Sequence, residues 1–303
     1  MNRLLLALLG LATALLSIPS HGADTPARGI SPEGAKVRVM SFNIRYANPR
    51  DGEDRWEKRR EFLVDTIRAY NPHLLGTQEV LAEQADFLRE KLPDYGFVGG
   101  GRDDGQRKGE FSPILFRKDR FDVLAHGMWW LSPTPEKVGS KGWDAALPRV
   151  VTWARLKDRG RGVTVLMFNT HWDHQGNVAR VESGKLMRRL VEDKRGDERD
   201  LPVIVTGDFN STEQTQQYRT LTAGDGSPGA LQLTDAYREV HPQRQPEEAS
   251  FNGFEGTRKG LRIDWILHSP QWKATGAAID RTEKNGRYPS DHYPVTAELE
   301  LTK

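Results

Sequence analysis

Residues 163–174, VTVLMFNTHWDH, and residues 201–210, LPVIVTGDFN, decide how this chain is read. In each, an apolar run rich in β-branched residues stops at a cluster of amide, imidazole and carboxylate side chains, as in a strand with polar groups at one end. Between them, Ala179 to Lys194 reads as a helix with Val181, Leu186, Leu190 and Val191 as its apolar positions. Three further clusters take similar form. Ser41-Phe42-Asn43 ends the run from Val37, Thr77-Gln78-Glu79 follows Leu74-Leu75, and Ser290-Asp291-His292 precedes Val295. Five strands that present such groups imply a single site at one edge of a sheet structure. It suits a hard metal ion and an anionic substrate.

Outward from these clusters, Ala35 to Ile44 alternates as a strand. Trp56, Arg60, Leu63, Ile67 and Tyr70 keep a helical spacing that ends before Asn71-Pro72. Gln84 to Leu92 reads as a second helix. More strands are expected at Tyr95 to Val98, Phe111 to Arg117, Phe121 to Leu131, Val150 to Leu156, Arg262 to His268 and Pro294 to Leu301. The stretch GGGRDDGQRKG over 99–109 matches neither glycine-rich nucleotide-binding pattern, so no P-loop is expected. Ser132 to Pro148 and His241 to Gly260 are long polar loops, a class that often carries function.

With 303 residues, 37% of them hydrophobic, the chain can bury a large core. One domain over 36–303 is expected, after a short lead at 24–35. Residues 1–23 have the layout of a signal peptide: Arg3, the apolar run Leu4 to Leu16, then Pro19-Ser20-His21-Gly22-Ala23. A membrane span needs about 20 apolar residues, so the expectation is a secreted or periplasmic protein without stable membrane insertion, and an uncleaved anchor is the alternative. The absence of cysteine excludes disulfides and a lipoprotein attachment site. Without Arg3 the chain has 43 basic and 42 acidic residues. It therefore lacks the basic excess usual in proteins that hold nucleic acid through its phosphates. A monomer is expected.

Asn43, Glu79, Asp208, Asn210 and Asp291 offer oxygen ligands, which favours magnesium, manganese or calcium over softer metals. Five such groups exceed what magnesium takes from a protein, so some of them orient water or phosphate. His171 and His292 sit beside strand ends and are candidates for proton transfer. His171-Trp172-Asp173-His174 shares part of the H-x-H-x-D-H zinc pattern, but the first histidine of that pattern falls at Asn169. Among the tryptophans, Trp172 has a positional reason to line a cleft because it adjoins His171.

Taken in order, SFN, QE, Glu110 ahead of a strand, NTHWDH, GDFN, RIDWIL and SDH resemble the motif set of the endonuclease/exonuclease/phosphatase superfamily, over Val37 to Leu301. That resemblance implies an α/β four-layer sandwich of two packed mixed β-sheets flanked by helices, as in pancreatic deoxyribonuclease. It implies a divalent-metal-dependent phosphoric ester hydrolase using Mg2+ or Mn2+, with a phosphodiester of nucleic acid as the expected substrate. The alternatives are a phospholipid or sphingomyelin, a phosphomonoester, or a noncatalytic binding module, which the intact motifs argue against. By motif, Asn43 and Glu79 would hold the metal and Asp291 would help place metal or water. Asp208 and Asn210 would position or activate the attacking water, Asp264 would orient His292, and Glu110 would pair with His171. Which histidine is acid and which is base stays open. Ser132 to Arg149, with His174 and Arg180, resembles a secreted bacterial subgroup. Arg45, Trp143, Trp172, His174 and Arg180 are the substrate-binding candidates.

Overall fold

Neighbouring side chains in β1 (Lys36–Asn43) point to opposite faces, and both faces are buried. Val37 and Val39 join one apolar cluster while Met40 and Phe42 join another. A strand apolar on both sides must lie between two layers. The computed structural model, which describes residues 36–223 and 230–302, has that architecture. The signal peptide and lead expected over 1–35 lie outside the described residues.

The elements follow in order after a 3-10 segment at Pro49–Asp54: α1 (Trp56–Tyr70), β2 (Leu74–Gln78), α2 (Ala82–Lys91), β3 (Tyr95–Val98), β4 (Ile114–Arg117), β5 (Phe121–Trp130), β6 (Val150–Asp158) and β7 (Val163–His171). Then come α3 (Asn177–Arg195), β8 (Val203–Asp208), α4 (Gln216–Ala223), β9 (Thr234–Asp235), α5 (Ala236–Val240), β10 (Asp264–His268), β11 (Trp272–Ile279) and β12 (Val295–Leu301). They form two six-stranded mixed sheets, β11-β12-β1-β2-β4-β3 and β5-β6-β7-β8-β10-β9. Val39, Leu74, Met167, Ile204 and Ile266 fill the space between the sheets. Leu63, Val64, Ile67 and Leu88 of α1 and α2 cover the outside of the first sheet. Leu186, Met187, Leu190 and Leu221 of α3 and α4 cover the outside of the second. This is the expected four-layer sandwich. Among the described residues, no helix is long and apolar enough to cross a membrane.

Strand direction gathers the polar clusters. β1 and β2 are parallel, as are β7 and β8, so Asn43, Gln78, His171 and Asp208 end their strands on one side of each sheet. β12 runs antiparallel to β1, with Ser41 opposite Val295, and β10 runs antiparallel to β8, with Asp264 opposite Asp208. Chain that enters β10 and β12 therefore passes the same edge. At that end the two sheets are fastened by Asn169. Its Oδ1 accepts from Gln78 Nε2 at 2.7 Å and Thr206 Oγ1 at 2.9 Å, and its Nδ2 donates to the carbonyls of Thr77 and Pro113. Gly76 makes room for this clasp. A Cβ there would lie 2.1 Å from Thr206 Oγ1 and 2.4 Å from Asn169 Oδ1.

Candidate active site

The clusters converge on a cavity of about 500 Å³ lined by residues that include Glu79, Glu110, Arg149, His171, Asp208, Asn210, Asp291 and His292. Alternation delivers most of them. Val165, Met167, Asn169 and His171 share the face of β7 that looks toward the other sheet, and Ile204, Thr206 and Asp208 share that of β8. The inter-sheet core thus turns polar at its edge. Glu79 follows the inward Gln78 and would face away by alternation. Its left-handed backbone, with φ of 60°, allows the carboxylate to reach Asn43 instead.

Asn43 joins the sheets, its Nδ2 donating to Glu79 Oε1 at 3.0 Å and to Asp208 Oδ2 at 2.9 Å. Around Asp208 stand the two histidines: His171 Nε2 is 3.5 Å and His292 Nε2 3.7 Å from its Oδ2. Asp264 Oδ2 lies 2.9 Å from His292 Nδ1, as expected for an orienting carboxylate. Asn210 Nδ2 donates to the carbonyl of Trp172 at 3.0 Å, which identifies that atom as the amide nitrogen. The same nitrogen is 3.0 Å from His171 Nε2, so this ring nitrogen accepts and the proton sits on Nδ1. Nδ1 is buried without a hydrogen-bond partner, 3.8 Å from Glu110 Oε2.

The two imidazoles differ in charge. Burial opposes the charged form of both, but Asp264 and Asp208 hold His292 well above the usual histidine range. For His171, burial is reinforced by Arg149 and Arg102, and the ring is held well below that range. Asp208 is pushed up to about 7, chiefly by burial and then by Asp264. Burial also raises Glu110 and Asp291. Crowded carboxylates with raised values suit a divalent cation. Glu79, His171 and Asp208 each offer a ligand atom, all within 4.8 Å of one another. An oxygen-rich set of this kind fits magnesium or manganese better than a thiophilic metal.

Other expected residues lie elsewhere. Trp172 has no exposed surface and packs with Phe209 and Trp265 in the cluster under α3, so it lines no cleft. Being next to His171 in sequence puts it on the opposite face. Trp143 packs against that cluster. Arg180 donates to the carbonyl of Asp173 and to Asn177, away from the cavity lining. Glu110 takes its short contact, 2.7 Å, from Arg102 and not from His171. Asp291 lies 3.7 Å from Arg45 Nε, and Arg45 itself forks onto Asp51 with two 3.0 Å bonds. Arg45, His174 and Arg149 do line the cavity. The sequence reading gave no role to Glu213, which with Asp235 anchors buried Arg262 two residues before Asp264. It had only its spacing of three residues from Asn210 to mark it.

The family model described as Endonuclease/Exonuclease/phosphatase family matches residues 40–292. Nocturnin of Mus musculus is 24% identical over 293 residues, 87% of this chain and 64% of the relative. The CCR4-Not complex 3'-5'-exoribonuclease subunit Ccr4 of Mycosarcoma maydis is 21% identical over 359 residues, 94% of this chain and 53% of the relative. The chain thus spans less than two thirds of these curated relatives. Among solved structures, a mannosyl-6-phosphatase of Bacteroides thetaiotaomicron VPI-5482 superposes with a TM-score of 0.79 at 35% identity, covering 88% of this chain and 100% of that one.

Proposed function

This chain belongs to the endonuclease/exonuclease/phosphatase family, and from that premise we propose that it is a divalent-metal-dependent phosphoesterase acting on small phosphorylated molecules of the phosphosugar class. The observation that carries the chemistry is the pairing of unlike histidines about one carboxylate: charged His292 on Asp264, neutral His171 on Asn210, and Asp208 between them. Asp208, at about 7, matches a general base that takes a proton from the attacking water near neutral pH. The His292 imidazolium holds a phosphoryl oxygen as charge grows on it, and His171 Nδ1–H, which has no partner of its own, offers a second donor. Asn43 and Glu79 would hold the metal, with Asp208 in reach. A bound Mg2+ or Mn2+ supplies Lewis-acid neutralisation of phosphoryl charge.

The substrate class rests on the near-balance of charge and the 35% identity to a protein named mannosyl-6-phosphatase, with a cavity of about 500 Å³ to receive it. A nuclease is the second reading, favoured by the name of the exoribonuclease relative. Export by the leader at 1–23 belongs to the same proposal. The test incubates residues 24–303 with Mg2+ or Mn2+ and mannose 6-phosphate or supercoiled plasmid. Chelator and His292→Ala serve as controls. Metal-dependent phosphate release with intact plasmid supports the proposal. Plasmid nicking without phosphate release replaces the small substrate with nucleic acid. Turnover that survives both controls overturns the chemistry.

A further inference from the structure

Arg149 stands at the mouth of β6, only 4% exposed. Its guanidinium is held on two sides: Nε is 3.5 Å from Asp173 Oδ2, and Nη2 is 3.0 Å from His174 Nδ1. Nη1 is buried without a hydrogen-bond partner, and its nearest carboxylate, Glu110, is 3.8 Å away and bonded to Arg102. The other arginine on the cavity wall, Arg45, is already forked onto Asp51. A buried cationic donor with a free N–H beside a polar cavity calls for an anionic acceptor. Because His174 Nδ1 accepts from Arg149, the neutral ring carries its proton on Nε2, and His174 lines the same cavity.

Asp173 organises this corner. Its Oδ1 accepts from the backbone of Ala146, Gln175 and Gly176, and its Oδ2 from that of Leu147. Asp144 accepts from Val178 and Ala179 at the start of α3. The loop before β6 is thereby pinned to the chain after β7, and Arg149 is fixed before any ligand arrives.

A phosphodiester has two nonbridging oxygens and one charge. A monoester near neutral pH has three terminal oxygens and a charge of about −1.5 to −2. We propose that Arg149 Nη1 and His174 Nε2 form the seat for the oxygen and charge that a monoester has and a diester lacks. Arg149 and His174 are then specificity-determining residues, and Asp173 is a positioning residue. The inference rests on the phosphoesterase reading above and deepens it.

The test compares p-nitrophenyl phosphate with bis(p-nitrophenyl) phosphate in the wild type, Arg149→Met, Asp173→Asn and His174→Gln. Loss of a charged hydrogen bond lowers kcat/KM for the monoester by roughly 10- to 100-fold in Arg149→Met. The diester falls far less, so the monoester-to-diester ratio collapses. Asp173→Asn moves that ratio in the same direction through KM. If Arg149→Met does not fold, His174→Gln, at a more exposed position, carries the same ratio test. An equal fall on both substrates overturns the inference. Calorimetry with inorganic phosphate and chelated protein separates it from the reading it rests on. Phosphate binding that weakens in Arg149→Met supports the seat even where the wild type turns over neither ester. Unchanged binding and an unchanged ratio, in an enzyme that still releases phosphate from sugar phosphates, remove the seat and leave the reading intact.

Discussion

The layer between the two sheets has two ends built on the same strands. At one end Val165, Met167, Ile204 and Ile266 form a dry core. At the other Asn169, His171, Thr206, Asp208 and Asp264 occupy the same inward positions, all buried. An apolar contact is satisfied by any neighbour of the right volume, whereas a buried imidazole or carboxylate demands a particular partner. The core end therefore sets stability and the polar end sets chemistry. The Asn169 clasp marks the border.

Breaking the polar end gives the largest effect. His292→Ala lowers kcat by about 10² to 10⁴ with the circular dichroism spectrum of the wild type, and it lowers the melting point because buried Asp264 loses its partner. At the dry end, Ile204→Ala costs about 2–5 kcal/mol in denaturant unfolding and leaves turnover per folded molecule unchanged. Turnover per folded molecule that drops with Ile204, or turnover that survives the loss of His292, would erase the division. At the border, Gly76→Ala costs about 1–3 kcal/mol and reduces turnover as well, because its Cβ intrudes on Thr206 and Asn169.

The same contrast can be sharpened through pH dependence. Asp208 rises to about 7 in the folded protein, against about 3.9 unfolded. The native state holds this proton across that window while the unfolded chain has lost it. Its contribution to stability is complete at the acid side and is lost as pH rises to 7. His171, held low, has the opposite slope, so the informative quantity is a difference. With chelator present, the wild type loses stability relative to Asp208→Asn between pH 4 and 7. A flat difference would place Asp208 near its ordinary value.

Much of both ends was legible in the sequence, because an apolar run that stops at a polar cluster is a local pattern. The helix Trp56–Tyr70 was legible too, ending where Asn71 takes a left-handed conformation before Pro72. β11 escaped notice because KATGAA has neither a sustained apolar run nor strong strand formers. Asn169 and Gln78 were seen only as members of motifs, since a clasp between sheets depends on residues 91 positions apart. Trp172 was misjudged because adjacency in sequence was taken for adjacency in space, and strand alternation reverses that relation. Arg149 and Asp173 could be named but not paired, as their loop becomes meaningful only once it lies against α3.

β1, the first strand of the described chain, is zipped along one side to β12, the last. His292 arrives just ahead of that final strand, and Ser290 Oγ bonds the carbonyl of Asn43. Of the residues that line the cavity, His292 is thus the last in the sequence, and its loop is tied to the end of the first strand. Without β12, β1 would be left with a bare edge and β11 with no partner. Cutting away β12 is therefore expected to unseat His292 without altering a single residue of the cavity wall.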